Sequence, residues 1–170
     1  ADNIVYHFWH KRFLEIAPLL VDVFSNKQGD YAEISGKIKI AGRNVRARAD
    51  RIWDGGVLDV KTGAAPSKSQ LLDGTMPQLP LEALILQSGG FPIPTTLKST
   101  TPIIQFLQLK NNDVRLITYD QSITAEMMQS AKEKITEIFN IYSAGGAAYE
   151  YYETSDQRYR VYDDLARRKD

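Results

Sequence analysis

The chain has no cysteine and no net charge: among its 170 residues, 21 Lys and Arg balance 21 Asp and Glu. The lack of cysteine excludes disulfides, zinc–thiolate sites, iron–sulfur clusters and thiol nucleophiles, and it favours a cytoplasmic location. Zero net charge means that no general positive field attracts nucleic acid. Any contact with DNA therefore has to come from local clusters of basic side chains.

Long apolar runs are also missing. No stretch approaches the roughly 20 apolar residues of a membrane-spanning helix, and the first residues have no signal-peptide pattern, so we expect no membrane partner. A composition of 43% hydrophobic and 25% charged residues is ordinary for a globular protein, and residues 1–170 are predicted to form a single domain. The chain starts without Met in an amphipathic segment and ends without an obvious helix cap, which we interpret as a domain excised from a longer chain.

Hydrophobic periodicity predicts a helix, three strands, two helices, two strands and two helices. The predicted helices are 4–25 (bent at Pro18), 68–73, 77–88, 124–143 (capped by Thr124) and a short one near 160–168. The predicted strands are 31–40 (broken near Gly36), 45–53, 57–61, 102–109 and 113–119. Tight turns make the first three strands an antiparallel meander. The order predicts a mixed α/β sheet with helices on both sides.

The segment 48–63 contains the main candidate metal-binding and catalytic residues. Strand alternation places Asp59 and Lys61 side by side on one face, and a tight turn brings Asp50 of the preceding strand within reach. Charges on a half-buried strand need a partner or a metal to offset their desolvation. Two carboxylates and an ammonium suit metal-assisted phosphodiester cleavage. A further alternative is a purely structural domain in which the same side chains form only ion pairs.

Several short motifs occur in an order that resembles a known family: Glu33, AlaAspArgIle at 49–52, LeuAspValLysThrGly at 58–63 and ProGlnLeuProLeuGluAla at 77–83. Together they resemble the nuclease domains of the RecB and AddB family, most closely the carboxy-terminal nuclease domain of AddB, within the PD-(D/E)XK superfamily. The resemblance covers about residues 5–120. It implies a restriction-endonuclease-like fold, a mixed central sheet flanked by helices.

The resemblance also implies residue roles. Asp50 and Asp59 would bind Mg²⁺ or Mn²⁺, the backbone carbonyl of Val60 would complete the metal shell, and Lys61 would be the catalytic lysine. Gln78 matches a helix-borne amide that helps to fix the lysine and the DNA end. Glu33 matches an upstream acid that holds a metal through water or positions the lysine, although it could be an ordinary exposed carboxylate. Many relatives have tyrosine four residues after the glutamine, where this chain has Glu82.

Other side chains leave alternatives open. Many relatives place a metal-binding histidine on the first helix; His7 is favoured over His10, and either could simply be solvated. Arg46, Arg48 and Arg51 could contact the DNA backbone or pair with nearby acids such as Glu33. Tyrosines of the last 25 residues could stack on unpaired bases or pack against a larger protein. Many AddB proteins carry an iron–sulfur cluster, which this cysteine-free chain cannot hold.

The implied function is that of a Mg-dependent DNA exonuclease domain in a helicase/nuclease that repairs double-strand breaks. Its implied partners are a DNA single strand or duplex end, an AddA-like helicase/nuclease subunit and the rest of its own chain. An alternative is a catalytically inactive nuclease-like module that binds DNA ends or docks a subunit. No phosphate-binding Walker loop is present, so ATP hydrolysis would belong elsewhere.

Overall fold

The computed structural model describes residues 2–25, 30–94, 101–110 and 113–144. Its elements in chain order are α1 (Asp2–Ser25), β1 (Tyr31–Ile40), β2 (Arg43–Trp53), β3 (Gly56–Lys61), α2 (Lys68–Leu72), α3 (Gln78–Gln87), β4 (Ile103–Lys110), β5 (Asp113–Tyr119) and α4 (Gln121–Ser143). Contacts divide the chain into two units, Ala1–Glu137 and Ile138–Asp170. The helix near 160–168 and the late tyrosines lie outside the described residues, and a single domain over 1–170 stays a prediction.

The described strands form one mixed sheet in the order β1-β2-β3-β4-β5. The strands β1, β2 and β3 are an antiparallel meander, as predicted; β3 and β4 are parallel, and β4 and β5 antiparallel. A parallel pair needs a long crossover connection, and the segment that carries α2 and α3 supplies it. Between β3 and β4, this crossover packs α3 onto the sheet.

Helices pack on both faces of the sheet, as the element order predicts. On one face, helices α3 and α4 pack on the strands in a core that includes Ile52, Val57, Leu79, Ala83, Ile104, Phe106 and Met127. On the other face, helix α1 packs Leu20, Val23 and Phe24 against Trp53, Leu58 and Leu107. The neighbours Val57 and Leu58 thus enter different cores because successive strand residues point to opposite faces.

The strand β1 is not broken at Gly36. Gly36 pairs in register with Ala47, and an added Cβ would lie 2.5 Å from the ring of Phe91, so glycine here permits close packing rather than a turn. The irregular residue is Glu33, whose φ is 54°. It stands across from Asp50, between the pairs that join Ala32 to Arg51 and Ile34 to Ala49.

This irregularity interrupts the alternation of β2. Ala49 and Ile52 are three residues apart, yet both lie in the core that α3 covers. In a regular strand, residues three apart point to opposite faces. The alternation of β2 side chains between the two faces of the sheet is therefore broken at Asp50 and Arg51. As a result, simple alternation does not set the direction of the Asp50 side chain.

The helix α4 begins at Gln121, three residues before its predicted start. Asp120 Oδ1 accepts a hydrogen bond from the Ile123 N–H at 3.0 Å, the contact of an N-cap. Thr124 is fully buried inside the first turn, where its hydroxyl donates to the Tyr119 carbonyl at 3.3 Å. The prediction that Thr124 caps this helix is wrong, because Asp120 already occupies the capping position.

Candidate active site

Asp59 and Lys61 lie side by side near the end of β3, as alternation predicts. Asp59 is only 3% exposed. Lys61 Nζ donates to Asp59 Oδ1 at 3.2 Å and lies 2.9 Å from Oδ2. Burial raises the pKa of Asp59 above its usual value; the Lys61 ammonium opposes this shift and the charge of Asp50 adds to it. The buried carboxylate therefore depends on positive charge to remain ionised.

Asp50 projects from β2 toward β3. The pairing of the two strands extends from Trp53 and Gly56 to Arg51 and Leu58, and beyond it the Val60 N–H donates to Asp50 Oδ2 at 3.0 Å. Since the N–H and C=O of one strand residue lie on the same side of the strand, the Val60 carbonyl also faces the side on which Asp50 lies. The structure thus brings Asp50, Asp59 and Val60 together.

Gln78 reaches the same carboxylate from α3. As the first residue of the helix, it donates from Nε2 to Asp59 Oδ1 at 3.3 Å and to Glu82 Oε1 at 3.3 Å. Gln78 is 19 residues from Asp59 along the chain, and the packing of α3 on the sheet brings the two side chains into contact. The structure therefore joins Gln78 to the site, as the motif order suggests.

Glu82 is a site residue that the sequence interpretation missed. It is 1% exposed, and burial raises its pKa to about 8; the hydrogen bond from Gln78 opposes the shift, while the charges of Asp59 and Asp50 add to it. At neutral pH this carboxyl is therefore mostly protonated. A signal was present: Glu82 is the one acid within the otherwise apolar run LeuProLeuGluAlaLeuIleLeu at 79–86.

Glu33 is not joined to this group. Its carboxylate forms an exposed ion pair with Arg48, so its proposed role through water or the lysine stays a prediction. Arg51 pairs with Asp30, and its guanidinium lies 4.3 Å from the centre of the Phe24 ring. For Arg48 and Arg51, the ion-pair alternative is the one that the structure shows.

The histidine prediction stays untested. His7 belongs to α1, but its side chain lies outside the described residues. His10 is an exposed residue of the same helix. The role of His7 as a metal ligand therefore remains a prediction from the resemblance.

The chemistry of Asp50, Asp59 and Val60 fits a hard cation. Within the described ranges, no three His, Cys, Asp or Glu side chains group as a ready metal cluster, so the candidate set is two carboxylates and one backbone carbonyl. Magnesium commonly binds one or two carboxylates and completes its octahedron with water and substrate phosphate. Asp59 Oδ2 is buried, and the Lys61 ammonium lies 2.9 Å from it. A buried oxygen of this kind is suited to a cation.

The mixed sheet with its flanking helices is a restriction-endonuclease-like α/β fold, as the resemblance implies. A protein of similar fold is the “Putative exonuclease” from Eubacterium rectale, whose crystal structure aligns with a TM-score of 0.51 and 11% identity. The alignment covers 89% of this chain and 64% of that one. At this identity the likeness bears on the fold alone.

Two relatives by sequence are named only as uncharacterized proteins, and no family model matches the chain. A protein of Rickettsia bellii is 28% identical over 137 residues, which are 69% of this chain and 16% of that protein. A protein of Rickettsia typhi is 42% identical over 72 residues, 37% of this chain and 8% of that protein. The chain thus spans about one sixth or less of these curated relatives. None of its described helices combines the length and apolarity needed to cross a membrane.

Proposed function

We propose that this chain is a divalent-metal-dependent deoxyribonuclease module that hydrolyses phosphodiester bonds at a DNA end. One observation carries the proposal: the buried Asp59 carboxylate contacts both the Lys61 ammonium and the Gln78 amide. Asp50 and Val60 adjoin it. The restriction-endonuclease-like fold and its likeness to a structure named “Putative exonuclease” support the same function.

In this proposal Asp50, Asp59 and the Val60 carbonyl hold Mg²⁺ or Mn²⁺. When bound, the ion polarises the scissile phosphate and lowers the pKa of an attacking water. The contribution of the protein is to keep the two carboxylates in place. The Val60 N–H holds Asp50, while Lys61 and Gln78 hold Asp59.

Lys61 has two tasks in this scheme. Its ammonium stabilises the ionised form of the buried Asp59, because opposite charge offsets part of the desolvation. In the reaction it orients the nucleophilic water and offsets the charge that grows on the phosphate. Hydrolysis by water requires no covalent intermediate with the protein.

The proposed partners are a DNA strand delivered from a helicase motor, an AddA-like subunit and further parts of a longer chain, in the cytoplasm. The R. bellii relative is about six times longer than the matched region, which leaves room for such a motor. The helix α1 also exposes large apolar side chains, namely Phe13, Leu14, Leu19 and Val21. Exposed apolar surface of this kind suits a contact with another protein segment.

A second candidate is a nuclease-like module that binds DNA ends or docks a subunit without cleavage. The observation that favours it is the 2.9 Å ion pair between Lys61 and Asp59, which already offsets the buried charge. In this case metal would not be needed. Metal titration and cleavage assays distinguish the two candidates.

The decisive experiment incubates the 170-residue chain with end-labelled single-stranded DNA and Mg²⁺ or Mn²⁺, with EDTA as a blank. Asp59→Asn and Lys61→Ala are each expected to lower the rate by roughly 100-fold or more, as expected for loss of a metal ligand or of a proton-handling group. Gln78→Ala, which removes a supporting contact, should lower it about 10- to 100-fold. The matched control is Glu126→Gln, an exposed acid of α4, which should cleave like the wild type.

Metal binding is measured on the same variants by calorimetry. Asp59→Asn should lose Mn²⁺ binding, whereas Glu126→Gln should keep it. Cleavage that persists at the wild-type rate in Asp59→Asn and Lys61→Ala would refute the site. DNA-end binding that is independent of metal, with no cleavage under any condition, would favour the second candidate.

A further inference from the structure

A cavity of about 310 Å³ adjoins the proposed metal site. Lys61 and Gln78 line it, and both also contact Asp59, so the cavity is continuous with the site through these two side chains. The remaining walls are apolar: Ala64, Pro66, Met76, Pro77, Leu79 and Phe106. The proposed nuclease chemistry does not use these apolar residues.

Three parts of the crossover and sheet build this cavity. Ala64 and Pro66 follow the end of β3, Met76 and Pro77 precede α3, and Phe106 belongs to the neighbouring strand β4. Phe106 is in register with Asp59, which places the cavity floor beside the carboxylate. The cavity walls thus belong to, or directly adjoin, the strands and the helix that hold the proposed metal site.

We propose that this cavity binds the nucleobase of the nucleotide that adjoins the scissile phosphate, an inference that rests on the proposed nuclease function. A base has two apolar faces and a polar edge, which match apolar walls with a lysine and an amide on one side. The volume lies at the small end of the range for ligand pockets. The sugar would connect the base in the cavity to the phosphate beside Lys61.

The assignment has a consequence for the substrate. A base inside the cavity must be unpaired, so the site selects a single strand or a frayed end. Because the described walls are mainly apolar side chains and Gln78 is the only amide among them, contact with the base is tolerant of sequence. The proposed site should therefore select DNA by whether it is single-stranded and not by its sequence.

The test compares binding of two probes to the 170-residue chain in Mg²⁺: deoxythymidine 5′-monophosphate and 2-deoxyribose 5-phosphate, which lacks the base. The wild type should bind the nucleotide about tenfold more tightly than the sugar phosphate, as expected for one buried base face.

Met76 is 45% exposed, so Met76→Ala leaves the core intact. It should weaken nucleotide binding about threefold or more through lost apolar contact and leave the sugar phosphate unaffected. Val21→Ala, which trims a 63% exposed side chain of α1, is the matched control and should change neither.

Equal affinity of the wild type for both probes, or an equal loss for both in Met76→Ala, would overturn the cavity assignment. Cleavage assays on the same protein keep the two proposals distinct. Base-dependent binding without any metal-dependent cleavage supports the cavity and counts against the nuclease. Cleavage that is equally fast on a strand with an abasic terminal nucleotide supports the nuclease and counts against the cavity.

Discussion

Replacement of the buried acid Glu82 by Gln should remove the fall in folding stability that Glu82 causes between pH 4.5 and about 8. Glu82 is 1% exposed, and burial raises its pKa from 4.5 to about 8. Glutamine has nearly the same shape and keeps a carbonyl oxygen that can accept from Gln78, but it has no charge. The comparison therefore isolates ionisation from packing.

The direction follows from proton linkage. Between pH 4.5 and about 8 the folded state keeps the Glu82 proton that the unfolded chain releases. Stability is therefore complete below pH 4.5 and is lost as the pH rises toward about 8. The pKa difference, about 8 minus 4.5, is about 3.5; at 1.36 kcal/mol for each pKa unit it corresponds to a loss on the order of 5 kcal/mol. That is a large fraction of the stability of a typical domain.

The assay is urea unfolding of the wild type and Glu82→Gln in EDTA, from about pH 5 to about pH 9. The two free energies of unfolding should be similar at the acid end, and the wild type should fall below the variant by several kcal/mol at the alkaline end. Asp59, whose pKa burial also raises, is present in both proteins, so its own pH dependence largely cancels. Parallel pH profiles would refute the buried-acid interpretation. With Mn²⁺ in place of EDTA, the wild-type fall should be smaller and should end at lower pH, because a nearby cation favours the carboxylate and lowers the folded-state pKa of Glu82.

Two further predictions concern packing and capping. Gly36→Ala should destabilise the fold by about 1–3 kcal/mol, because its Cβ would meet the Phe91 ring at 2.5 Å; Gly63→Ala, where a Cβ has nothing within 4 Å, is the control, and equal thermal midpoints for the two variants would contradict the prediction. Asp120→Ala should cost about 1 kcal/mol in urea unfolding through loss of the Ile123 cap. An unchanged midpoint in Asp120→Ala would show that this cap does not stabilise α4.

Local chemistry explains how much of the fold the sequence predicts. The meander of β1, β2 and β3 follows from alternation and glycine-containing turns, which act over a few residues. Glu33 shows where this reasoning stops. Its pairing with Arg48 is one of two alternatives that the sequence leaves open, and its φ of 54° depends on the neighbouring strand and is not indicated by its local sequence. The capping error at Thr124 has the same origin, since the position is buried by tertiary packing.

The features of the candidate site can likewise be divided into those that the sequence predicts and those that only the tertiary structure decides. The two-residue period of a strand places Asp59 beside Lys61, and the motif order names Asp50 and Gln78 as their companions; these follow from the sequence alone. Only the tertiary structure decides that Asp50 turns toward the Val60 N–H, that Glu82 becomes a buried, neutral acid and that Met76 and Phe106 enclose a cavity beside Lys61. The physical reason is distance along the chain: strand period and turn chemistry act between neighbours, whereas burial, pKa and cavity shape are set when the crossover packs α3 onto the sheet.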